Sequence, residues 1–125
     1  MATRIEIPAE QVRPLDYRHV SKNTGNTTYE QYFVQDGETG MSVKYIRYPK
    51  GTVTPRHDHH CAHGMYVLKG TLVTDTGSFP AGSFVWFPQG DVMSHGASDD
   101  ADCDCIFITN KAFDIHYFDL DPKRS

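Results

Sequence analysis

The chain has 125 residues, of which 38% are hydrophobic and 22% charged, with a formal net charge of -4. This length suits one domain with one buried core, no apolar run approaches the roughly 18 residues of a membrane-spanning helix, and scattered Lys and Arg leave no basic stripe for phosphates. Membrane and nucleic-acid partners are therefore excluded, while an odd count of three cysteines and an N-terminal stretch 1–8 without an apolar signal region point to a reducing, cytoplasmic setting.

Taken in chain order, residues 4–7 (Arg-Ile-Glu-Ile) alternate like a short strand, and 8–14, with proline at both ends, read as an extended arm of the kind that packs across a sheet. Residues 21–28 are a polar loop. Aromatic and β-branched content predicts strands at 29–35 and 42–48, separated by the turn 36–40. Further strands are predicted at 65–68, 71–74, 83–87, 95–97 and 105–109, with turns at Lys69-Gly70, at Gly77 and at Pro80-Ala81-Gly82, and a last strand over 112–118. Short strands punctuated by Gly and Pro, with no helical periodicity, indicate an all-β sandwich or barrel. The segment 84–87, Phe-Val-Trp-Phe, is apolar on both faces, so its outer face needs a cover, either the terminal arms or a second copy of the chain. We expect the second copy, in a homodimer.

The densest chemical signal lies between the strands at 42–48 and 65–68, where His57, His59, His60 and His63, four of the seven histidines, fall within seven positions. An expression tag would sit at a terminus; this tract is internal and runs directly into a strand. Successive side chains on an extended strand alternate faces, which puts His57 and His59 on one side, about 6.7 Å apart along the backbone, and His60 on the other. After a short turn His63 returns to the first side. His57, His59 and His63 therefore read as one metal-ligand cluster, and His60 as a surface residue.

Other residues carry less. Tyr45, Arg47 and Tyr48, on the strand before the cluster, are weak candidates for holding a substrate, and half-buried strand positions account for them better. Met65 and Val67 share parity with His63 and are expected to wall the pocket, and Met93 reads as core filler. Cys103 and Cys105 share a strand face and are expected to pack without a metal, Cys61 adjoins the ligands, and His19 and His116, lacking a supporting constellation, read as structural or surface residues.

Residues 51–70 resemble the first signature of the cupin superfamily, Gly-x5-His-x-His-x3-Glu-x6-Gly, at Gly51, His57, His59 and Gly70, with His63 in the glutamate position. Residues 82–95 are similar to the second signature, Gly-x5-Pro-x-Gly-x2-His-x3-Asn, through Gly82, Pro88 and Gly90. Met93 occupies the expected histidine place and His95 follows two residues later, an offset that keeps strand parity; Asp99 stands in the asparagine position counted from His95. The resemblance implies an all-β, double-stranded β-helix jelly-roll barrel. It further implies one domain over 1–125, with an arm at 1–20 and a core at 45–109 carrying both motifs, and one divalent transition-metal ion on His57, His59, His63 and His95.

Imidazole ligands suit Fe, Ni, Cu and Zn, with Mn also admitted; iron is the ion a dioxygenase would use. Four neutral ligands leave the ion its full +2 charge, which favours an anionic, oxygen-donating substrate such as an enolate, diketonate or carboxylate. Cupins with three or four histidines include iron dioxygenases that cleave β-diketones and zinc-containing polyketide cyclases. The expected function is accordingly that of a non-haem dioxygenase acting on a small enolisable or aromatic carbonyl compound. The alternatives are a non-redox isomerase, cyclase or lyase, and a non-catalytic metal or ligand sensor.

Overall fold

The computed structural model describes residues 3–118; Met1 and Ala2 of the N-terminal stretch, and the C-terminal end of the 1–125 domain span, lie outside the described residues. Among the described residues eleven strands follow one another, with only two short 3-10 turns, Ala9–Gln11 and Pro14–Asp16, for helix. They are β1 (Arg18–Val20), β2 (Thr27–Gln35), β3 (Ser42–Tyr48), β4 (His57–Asp58), β5 (His63–Lys69), β6 (Thr71–Thr74), β7 (Gly77–Pro80), β8 (Phe84–Phe87), β9 (His95–Ala97), β10 (Cys103–Thr109) and β11 (His116–Tyr117). A six-stranded sheet runs in the order β1-β2-β3-β10-β5-β8, a three-stranded sheet β7-β6-β9, and a ribbon β11-β4. All pairings are antiparallel. Side chains from both larger sheets, among them Ile46, Met65, Val67, Phe107, Leu72 and Ala97, meet in one core. This is a double-sheet jelly roll, the architecture that the resemblance implied.

Alternation decides which face looks inward. Along β3, Ser42, Lys44, Ile46 and Tyr48 are buried, whereas Val43, Tyr45 and Arg47 are only partly so. Tyr45 and Arg47 therefore stand on the outer face, opposite to the substrate-holding role considered for them. There Tyr45 Oη donates to Asp104 Oδ2 at 2.5 Å, and the Arg47 guanidinium grips both oxygens of Asp104 at 2.6 and 2.9 Å. Met65 and Val67 are fully buried, but as core residues and not as walls of the cavity. The partners available to each segment account for the remaining differences. Residues 4–7 find no strand to pair with and stay irregular, and the expected extended arm at 8–14 instead coils into the two 3-10 turns. It does pack across β2: Arg13 N donates to Gln31 Oε1 at 2.7 Å, and Gln31 Nε2 to Gln11 O at 2.9 Å. Gly77 begins a strand against β6, and only His116–Tyr117 of the expected strand at 112–118 pairs, with β4.

The outer face of the β5–β8 edge carries Tyr66, Phe84 and Trp86, all exposed, with the rings of Phe84 and Trp86 lying over Gly64. On β9 of the three-stranded sheet Gly96 lets two chain segments touch. A Cβ there would lie 2.1 Å from the Thr52 carbonyl oxygen and 2.6 Å from Val53 Cα, both backbone atoms that cannot swing aside. Gly96→Ala is expected to cost about 1–3 kcal/mol in chemical denaturation through overpacking. Gly37→Ala, where a Cβ meets nothing within 4 Å, serves as the near-neutral control.

Candidate metal centre

The second motif is zipped against the first by main-chain hydrogen bonds. Gly90 N donates to His59 O at 3.0 Å, His57 and Met93 exchange two bonds of 2.8 Å, and Thr54 N donates to His95 O at 2.9 Å. This register sets Met93 opposite His57, where it is buried in the core, and brings His95 two residues further on into the cluster. The late histidine is thus accommodated by the pairing itself.

His57, His59, His63 and His95 are all buried, and their rings approach one another: centroids lie 4.8 Å apart for His57–His59, 4.9 Å for His57–His95 and 4.7 Å for His59–His63. His60 points to solvent with its side chain 70% exposed. One ring nitrogen each from His57, His59 and His95 lies within 4.8 Å of the others, a grouping that could hold a cation. His63 stands beside this trio, 5.6 Å from His95 between centroids, sandwiched between Phe87 and Phe107 with interplanar angles of 21° and 8°.

The hydrogen bonds say which nitrogen faces where. His57 Nδ1 is 2.6 Å from Pro55 O, His59 Nδ1 meets the Asp114 carbonyl, and His95 Nδ1 is 3.2 Å from Tyr48 Oη. In all three the remaining Nε2 is buried without a partner, and both nitrogens of His63 are likewise unpaired. Buried polar atoms without partners are costly. Outer hydrogen bonds on Nδ1 with inward-facing bare Nε2 atoms are the arrangement by which proteins orient imidazoles towards a metal. The donor set therefore fits a divalent transition ion.

Burial also removes the protons that would compete. It pushes His57 down, His59 down to about 4 and His63 down to about 3, and His95 well below its ordinary value, with the neighbouring imidazoles adding to the effect on His59, His63 and His95. Free histidine would lose ligand character near pH 6.5; in this fold the neutral form persists to lower pH.

A cavity of about 360 Å3 opens onto His57, His59 and His95. Ile46, Phe107, Phe113 and Tyr117 line it, together with His19. So does Lys44, whose side chain is only 6% exposed and whose Nζ sits 2.7 Å from Glu30 Oε1 and 4.7 Å from the Phe107 ring centre. Burial would raise the Glu30 carboxyl, but the Lys44 charge and hydrogen bonds from Lys44 and Thr28 outweigh it and hold the group below its usual value, so the pair is ionic. Sequence reading missed Lys44 and Glu30. The signal was present in β3, where Lys44 shares parity with Ile46 and Tyr48 on the apolar inward face.

An inward cluster of histidines on a jelly roll, reached from a small cavity, defines a cupin. The chain belongs to the family of ChrR cupin-like domains, which matches it over residues 12–114. Comparison with curated proteins found no match. Among solved structures it is similar to the polyketide cyclase RemF from Streptomyces resistomycificus, at 17% identity and a TM-score of 0.74, covering 98% of this chain and 89% of that one. A chain in the crystal structure of Rhodobacter sphaeroides SigE in complex with the anti-sigma ChrR is similar at 24% identity and a TM-score of 0.60, over 82% of this chain and 57% of that chain. A putative dioxygenase from Nostoc punctiforme is similar at 14% identity and a TM-score of 0.67, over 76% and 34%. At such identities the likeness concerns the fold alone.

Two outcomes follow from this geometry. The NMR shift of His95 Nε2 that added Zn2+ produces in wild type is expected to disappear in His57→Ala and to persist in His60→Ala; loss in both variants, or persistence in both, would contradict the parity. Histidines with depressed folded pKa values bind fewer protons than the unfolded chain, so the stability held above pH about 6.5 is lost as pH falls towards about 4 for His59 and about 3 for His63. Urea unfolding of metal-free protein should weaken by up to about 1.4 kcal/mol per pH unit for each such histidine, and a flat profile across that window would contradict the burial.

Proposed function

We propose that this chain is a metal-dependent cupin enzyme, a dioxygenase acting on a small enolisable or aromatic carbonyl compound at the His57, His59, His63 and His95 cluster. The observation that carries this reading is the set of bare Nε2 atoms on His57, His59 and His95 opening onto a cavity of about 360 Å3. A site meant only to brace the fold would be closed on all sides, whereas this one has room for a small ligand next to the donors. When bound, a transition ion would polarise the substrate oxygens and acidify the adjacent carbon.

The chain's own residues would do the rest. Phe107, Phe113 and Ile46 offer an apolar surface on which a conjugated carbonyl compound can lie. Lys44 would set a positive charge towards a developing enolate oxygen, and ionised Glu30 is a group able to take a proton inside the cavity. Tyr48 and the carbonyls of Pro55 and Asp114 hold the rings of His95, His57 and His59 in place. Part of the same reading is a homodimer formed through the outer face of β8, where Tyr66, Phe84 and Trp86 are exposed next to the open edge of the six-stranded sheet. Light scattering that gives a monomer mass would count against that part alone.

The test is oxygen consumption by Fe2+-loaded protein offered a panel of β-diketones and small aromatic carbonyl compounds. Uptake that disappears in His57→Ala, and falls by at least about tenfold in Lys44→Met as expected for loss of a charged group at the reacting atoms, is the expected result. Turnover of the same panel under argon with Zn2+ would favour a non-redox cyclase, isomerase or lyase instead. Membership of the ChrR cupin-like family favours a second reading, a metal or ligand sensor; tight ligand binding with no turnover under either gas would support it.

A further inference from the structure

Outside the buried cluster, a second group of metal-ligating side chains gathers on the surface where β11 pairs with β4. The pairing sets His116 opposite Asp58 and Tyr117 opposite His57. His60, two residues beyond β4, turns its ring towards that of His116, with centroids 4.4 Å apart. Between them lies Asp114, whose Oδ2 is 2.8 Å from His60 Nδ1 and 3.8 Å from His116 Nε2. The other face of His116 looks at Asp58, with Nδ1 3.3 Å from Oδ1, an oxygen that is buried and has no aligned hydrogen bond. We propose that His60, Asp114 and His116 form a second, solvent-facing site for a divalent transition cation of the zinc type, which ties the segment 113–117 to the histidine-bearing strand β4.

Distances, donor chemistry and placement support the assignment. Ligands about 2.0–2.1 Å from a tetrahedral zinc ion stand about 3.4 Å from one another, and the observed separations of 2.8 and 3.8 Å from Asp114 Oδ2 bracket that value. One donor atom from each of the three residues lies within 4.8 Å of the other two, so small rotations of exposed side chains close the set. Two imidazoles and a carboxylate are a donor set that zinc and its neighbours take readily. Asp58 behind His116 supplies the carboxylate that orients a ligating imidazole from its far side. With the His60 and His116 side chains 70% and 49% exposed, a fourth position remains open to water.

The site is separate from the buried cluster yet lies next to it. His59 points inward and His60 outward from adjacent positions, and Asp114, which faces the proposed cation with its side chain, accepts the hydrogen bond of His59 Nδ1 with its carbonyl. Asp114 Oδ1 also accepts from the His60 backbone N–H at 2.6 Å. The segment so tied carries Phe113, Ile115 and Tyr117, all of which line the cavity. A cation on the surface would therefore hold one wall of the cavity against the strand that carries His57.

The experiment is equilibrium dialysis against micromolar free Zn2+ with elemental analysis, which reads occupancy without reference to any activity. Wild type is expected to hold two equivalents per chain, and both His60→Ala and His116→Ala one. His95→Ala should keep the surface equivalent, and in that background Zn2+ should slow hydrogen exchange across residues 113–117. Thermal melts of His60→Ala and His116→Ala establish that these surface variants are folded. Metal content in His60→Ala and His116→Ala equal to that of wild type, or unchanged exchange across 113–117, would each overturn the proposal. Failure of the enzymatic reading, by contrast, would leave all these counts unaltered.

Discussion

The structure depends on the burial of imidazoles that are not satisfied by the protein. Four rings, those of His57, His59, His63 and His95, are removed from water, and five of their nitrogens have no partner. Each such atom costs free energy to bury, and the charged form is driven out by desolvation. A fold can keep such a cluster only if the surrounding packing over-determines it or if something binds there. The sandwich of His63 between Phe87 and Phe107, and the three hydrogen bonds that fix the other rings through Nδ1, supply the packing half of that condition.

The jelly roll brings these rings together from distant parts of the chain. β4, the start of β5 and the short link between them carry three of the rings, and the second motif brings the fourth through main-chain pairing with residues 54–59. Gly96, next to His95, has no side chain because the Thr52–Val53 backbone occupies that space. The wall facing the rings is built last, from the segment 113–117, whose carbonyl at Asp114 both anchors His59 and leaves the Asp114 carboxylate outside with His60 and His116. Buried and exposed histidines are thus linked through one aspartate, and the Lys44–Glu30 ion pair sets a buried pair of charges beside Ile46 and Phe107 in the cavity lining.

Some of this was legible beforehand. Alternation on a strand separates His57 and His59 from His60 without any knowledge of neighbours, because the period is a property of the backbone. The same rule, with the inward side assigned by Ile46 and Tyr48, would have turned Lys44 inward and Tyr45 and Arg47 outward. A lysine on an apolar face runs against the usual preference, and nothing local announced that Glu30 of the neighbouring strand would pair with it. His116 looked unsupported for a similar reason: its companions His60 and Asp58 lie more than fifty positions away in sequence, and the pairing of β11 with β4 alone sets them together.

By itself the sequence determined the architecture and the inward histidine pair, since strand length, turn glycines and side-chain parity are local properties that survive any arrangement of the strands. Which strands adjoin, how His95 is brought into the cluster two residues late, which ring nitrogen stays bare, and which residues wall the cavity were decided only by the tertiary structure. The physical reason is that hydrogen-bond partners and desolvation depend on groups that meet only after the chain has folded. His59 shows both halves: its spacing from His57 is local, and its chemistry is set by a carbonyl fifty-five residues away.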